Sequence, residues 1–130
     1  VAQVGAAGLS KVQYCLLPKD QPSPPDDPYL NLAPWQDAQV LPPPEHWGGG
    51  LPDGRLPPIP SQFDAAGRPL TWPLRNAIAH WATLLTAPKA GQYELCCRTI
   101  DANGTAQPLP RPLPKSGRNE IQRVPVSVEV

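Results

Sequence analysis

The sequence predicts an all-β sandwich, and three observations carry that prediction. Residues 91–98 alternate, with Tyr93, Leu95 and Cys97 on one side and Glu94, Cys96 and Arg98 on the other. That period of two marks a strand with one buried face. Proline accounts for 21 of the 130 residues. It fixes φ and removes an amide donor, so the chain is neither mostly helix nor mostly continuous sheet. Two further stretches, near each end, repeat the alternation, giving four or five short strands and no strong helix.

The first strand lies in residues 4–17, VGAAGLSKVQYCLL, where Val12, Tyr14 and Leu16 alternate with Lys11, Gln13 and Cys15 after a flexible approach through Gly5 and Gly8. Residues 19–28, KDQPSPPDDP, end it. In residues 29–41, YLNLAPWQDAQVL, Pro34 suits the first turn of a short helix carrying Trp35, Ala38 and Val40 or Leu41. This segment is expected to be an insertion with its own apolar anchor, not a core element. Residues 41–60, LPPPEHWGGGLPDGRLPPIP, favour neither helix nor ladder, with Trp47 and Leu51 available to pin them to the body. Together these stretches make a Pro-rich insert of about residues 18–70, and long excursions in compact domains are usually functional or interfacial.

Residues 74–86, LRNAIAHWATLLT, carry a conflict. Leu74, Ala77, Ile78, Trp81, Leu84 and Leu85 match helical spacing, yet the position just before the strand at 91 argues for a strand paired with it. That strand leads into Asp101-Ala102-Asn103-Gly104, residues that tolerate the backbone of a tight turn, and Gln107-Pro108 returns to complete a hairpin. Residues 108–114, PLPRPLP, read as extended and polyproline-like. The final strand covers residues 121–130, with Val124, Val126, Val128 and Val130 on one face and Pro125 on the other. A proline there lacks a ladder donor, which makes this an edge strand.

Several function classes are excluded at this level. Charge is balanced, 11 basic against 11 acidic residues, where a nucleic-acid surface would want a basic excess. No apolar run approaches the roughly 18 residues of a membrane helix. Three cysteines are too few for a disulfide scaffold and show no zinc spacing. They read as small buried thiols, although Cys15 is placed to meet Cys96 or Cys97 across a sandwich. His46 and His80 are isolated, Asp26 and Asp27 are adjacent and solvated, and Asp20, Asp53, Asp64 and Asp101 sit at turns. Gly48-Gly49-Gly50 precedes Leu-Pro and opens no helix, so it is no phosphate loop. No catalytic constellation emerges.

Gly91-x-Tyr93 is similar to the corner of a sandwich where a tyrosine hydroxyl ties a loop to a late strand, with Leu95 where antibody domains place cysteine and Trp81 the candidate core indole. Beyond that, Tyr93-Glu94-Leu95, Arg98, Asp101, Gly104 and Gln107-Pro108 resemble the YEL-x-x-R-x-x-D-x-x-G-x-x-QP pattern near the end of sulfite-oxidase-type molybdopterin enzymes. Residues 8–14, GLSKVQY, resemble that domain's first strand. Trp81 falls at its penultimate strand, and Gly117, Asn119 and the Val-x-Val-x-Val repeat fit its final loop and strand. The resemblance covers about residues 4–17 and 68–130, and it decides residues 74–86 for strand.

The resemblance implies an immunoglobulin-like C-terminal dimerisation domain, non-catalytic in itself, within a larger oxidoreductase that transfers oxygen atoms at molybdenum. Its molybdenum ligand would be a cysteine of a preceding molybdopterin domain, so no cofactor is expected in this chain and Cys15, Cys96 and Cys97 are not ligands. The first residue is Val1 and no Met occurs, which fits a piece of a longer protein. Lys115 or Arg118, beside Gly117, is the implied anion contact, by charge attraction to an oxyanion. Arg98 and Asp101 are expected to pair and orient the turn, and Gln107 to bond backbone across the loop. The partners implied are a second copy and the cofactor domain, without nucleic acid or membrane insertion, and the compartment is the periplasm. The leading alternative is a secreted immunoglobulin- or fibronectin-like binding module, presenting Trp35 and Trp47 to a partner or carbohydrate. A third reading makes the polyproline segment a ligand for a signalling domain.

Overall fold

The computed structural model describes residues 1–21, 24–44, 62–64, 68–86, 89–108 and 121–129. The expectations placed on His46, Trp47, Gly48 to Gly50, Leu51, Asp53, Lys115, Gly117, Arg118, Asn119, Val130 and most of the polyproline segment lie outside them. Among the described residues every regular element is a strand: β1 (Ala2–Gln3), β2 (Leu9–Pro18), β3 (Gln36–Val40), β4 (Ile78–Ala79), β5 (Trp81–Ala82), β6 (Gly91–Asp101), β7 (Ala106–Gln107) and β8 (Gln122–Val128). All pairings are antiparallel. A larger sheet runs β5-β3-β2-β6, with β7 and β8 sharing the far edge of β6, and a two-stranded sheet joins β1 to β4.

The β2–β6 ladder is the spine, from Leu9 opposite Asp101 to Pro18 opposite Tyr93. The register slips between Leu9 and Lys11. That bulge puts Leu9 and Val12, three positions apart, on the same face, because the extra residue offsets the alternation. On this first face the small sheet packs over one end. Ala2, Val4 and Ala79 meet Leu9 and Val12 there, flanked by Ala7, Ala38, Val40 and Trp81. Two packed antiparallel layers are consistent with a β-sandwich.

The second face is covered by chain, not by sheet. Cys15 and Cys96 lie under Leu30 and Ile121, flanked by Leu17, Ala33 and Trp35. The single buried face expected for β6 is therefore corrected. Tyr93, Leu95 and Cys97 are half-buried, whereas Cys96 on the other side is fully buried. Residues 27–35 cross over that side, and nothing local to β6 reports it.

Two further expectations fail for related reasons. Residues 36–40 form no helix and are no appendage; β3 pairs directly with β2, Val12 opposite Ala38 and Tyr14 opposite Gln36. Its inward residues, Ala38 and Val40, belong to the first core. Residues 74–86 contain strands, as expected over helix, but only the short β4 and β5, separated by the exposed His80. They pair with β1 and β3, not with β6, whose two edges are already taken by β2 and by β7 with β8. Of the residues in helical spacing Leu74 is buried, while Leu84 is 92% exposed.

Candidate functional site

The described polar chemistry gathers on the second face, beside the β6–β7 hairpin. β6 presents Arg98 there, directly opposite Gln13 of β2, and its Nε donates to Gln13 Oε1 at 2.9 Å. The guanidinium lies 4.3 Å from the centroid of the Trp35 ring, a cation–π distance. Trp35 is itself fixed, since its Nε1 donates to the Leu30 carbonyl at 2.6 Å. Leu30 takes a left-handed backbone, φ 51°, which is unfavourable for a branched side chain. Its near-complete burial in the second core holds it there.

Asp27 anchors the start of this crossing segment. One carboxylate oxygen accepts from the Asn31 amide at 2.8 Å and from Asn31 Nδ2 at 2.9 Å. The other accepts from the Leu32 amide at 3.0 Å. The Leu32 amide first, then the Asn31 amide, hold its pKa below the ordinary aspartate value. Asp27 is buried while Asp26 is exposed, which corrects the expectation of two solvated carboxylates. Burial lowers the Arg98 pKa from its usual value, opposed by the nearby Asp27 carboxylate.

Beside this cluster opens a cavity of about 430 Å³ lined by Tyr29, Asn31, Arg98, Thr105, Gln107 and Pro108. Among the described lining residues the cation is Arg98, a planar fork held by stacking and by Gln13, a geometry suited to a carboxylate or small oxyanion. The signal for this arrangement in the sequence is slight. Asp27 followed by Pro28 is an aspartate-turn signature, but nothing ties it to Arg98.

The expected pairing of Arg98 with Asp101 does not occur, because the two leave β6 on opposite faces. Asp101 instead accepts from the Asn103 and Thr105 amides, each at 2.9 Å, and Gly104 takes φ 81° between them. Gln107 sits in β7 opposite Thr99. At the other end of β6, the Tyr93 hydroxyl donates to the Lys89 carbonyl at 2.9 Å, the loop tie expected of the Gly-x-Tyr motif. Trp81 is half-buried at the margin of the first core, not at its centre. Trp35 is half-buried, with its N–H and one ring face engaged.

The first face has a second notable region. Register and alternation place Leu16, Tyr93, Leu95, Val124, Val126 and Val128 on it, beyond the reach of β1 and β4. These side chains are half-buried, except Val124, which is 41% exposed.

Cys15 and Cys96 are buried against each other, and Cys97 is half-buried among strand residues. Among the described residues no cluster of three His, Cys, Asp or Glu side chains could hold a metal ion. No helix among them is long and apolar enough to cross a membrane. No protein-family model matches the chain, and no curated protein or solved structure matches it either.

Proposed function

We propose that this chain is a non-catalytic, immunoglobulin-like dimerisation domain of a sulfite-oxidase-type molybdopterin oxidoreductase, supporting oxygen-atom transfer by a separate cofactor domain. The observation that carries the proposal is the apolar strip on the first face, from Leu16 through Leu95 to Val124 and Val126. Contiguous apolar surface that the domain's own sheets leave half-covered is what an interface between copies requires. The tyrosine tie at Tyr93 and the two-layer antiparallel plan support the immunoglobulin-like assignment. In this reading Lys115 or Arg118 approaches the substrate oxyanion of the cofactor domain, and the protein works in the periplasm.

Co-expression of two differently tagged copies, followed by capture on each tag in turn, tests the association. Both tags in the final eluate are expected, together with background sulfite oxidation and no bound molybdopterin. A single tag contradicts the dimerisation role, and sulfite turnover by this chain contradicts the non-catalytic one.

A further inference from the structure

Sequence alone leaves the pairing of the three cysteines open, and the β2–β6 register narrows it to one. Cys15 lies directly opposite Cys96. Facing residues of an antiparallel ladder have Cα atoms about 4.5 or 5.5 Å apart. A disulfide accepts about 4.4–6.8 Å. Both side chains leave the second face into the same core, 2% and 0% exposed, so neither is turned away from the other. Cys97 leaves on the other face, opposite Tyr14, and has no cysteine beside it there.

We propose that Cys15 and Cys96 form a dithiol–disulfide site that closes by exchange with a small-molecule disulfide when residues 27–35 lift from the second face. The inference is independent of what the first face docks against. Both sulfurs are buried beneath this cover, so exchange requires the cover to open. A cleft of about 160 Å³, lined by Leu17, Asp27, Leu30, Leu32, Ala33 and Pro34, runs along the same segment.

One of the two facing thiols gives up its proton, and its thiolate attacks one sulfur of the disulfide RSSR, breaking the S–S bond and releasing RS⁻, which takes up that proton. The other thiol then loses its proton and attacks the protein sulfur of the mixed disulfide, displacing the second RS⁻, which is protonated in turn. Two protein thiols are oxidised to one disulfide, and RSSR is reduced to two RSH.

The test uses the reduced full chain, incubated with oxidised glutathione at a urea concentration just below the unfolding transition, then alkylated and digested with trypsin. The expected product is peptide 12–19 joined to peptide 90–98, with alkylatable thiols falling from three to one. The Cys97→Ser variant, altered at a half-buried position, is expected to give the same joined peptides and no alkylatable thiol. Cys96→Ser is expected to give none of the joined product. Retention of all three thiols in the wild type overturns the proposal, as does a cross-link that survives Cys96→Ser or disappears in Cys97→Ser.

Discussion

Asp27 shows how a residue with no chemistry of its own can decide a face of the molecule. Its carboxylate replaces the backbone partners that the Asn31 and Leu32 amides lack, and so sets the path that carries Leu30 and Trp35 over β6. Amide donors favour the ionised form, so the folded pKa lies below the ordinary aspartate value. A depressed folded pKa contributes stability that is present above the unfolded pKa and lost as pH falls through the folded one. The expected result is a gap in urea midpoint between the wild type and Asp27→Asn that is full at pH 6 and shrinks below about pH 4. A gap that stays constant to the acid limit would show that the carboxylate's charge is not what holds the segment. Arg98 depends on the same path, since Trp35 beneath its guanidinium arrives from that segment.

At the scale of elements, β3 is the test of the larger sheet. Ala38 faces the first core and Gln39 faces solvent. Ala38→Asp places a carboxylate against Val12 and is expected to destabilise by about 2 kcal/mol or more. Gln39→Asp is expected to stay within about 0.5 kcal/mol. Urea denaturation of the two variants measures the contrast, and equal effects would contradict the strand. The long strands β2, β6 and β8 were legible because their own residues alternate. β3 was not, because its inward residues are small, Pro34 imitates a helix start, and its partner β2 lies across intervening chain. The full burial of Cys96 was hidden for a similar reason, since its cover comes from residues 27–35. The turn at Asp101 and the tie at Tyr93 were legible as short-range motifs, whereas the Arg98–Trp35–Gln13 cluster joins three segments that no local pattern links. The expected Arg98–Asp101 pair fails on alternation itself, since residues three apart on a strand point to opposite faces.

For the whole molecule, the sheet covers its two faces unequally. β1 and β4 cap one end of the first face, residues 27–35 cap the second, and the region spanning β2, β6 and β8 keeps an apolar strip half-open. Pro125 on β8 has no amide to offer a neighbouring strand, which disfavours edge-to-edge growth of the sheet. Association by the face, as proposed, would give a closed, isologous pair in which the same strip meets itself. Val124, the most exposed of the strip, stands at its outer side, so Val124→Lys alters the contact with little cost to the fold. Light scattering across a dilution series into the low micromolar range, on the wild type and Val124→Lys side by side, measures this most directly. The account predicts twice the chain mass for the wild type, and dissociation of the variant at a concentration at least about tenfold higher. A wild type that is monomeric throughout, or a dimer indifferent to Val124→Lys, would contradict it.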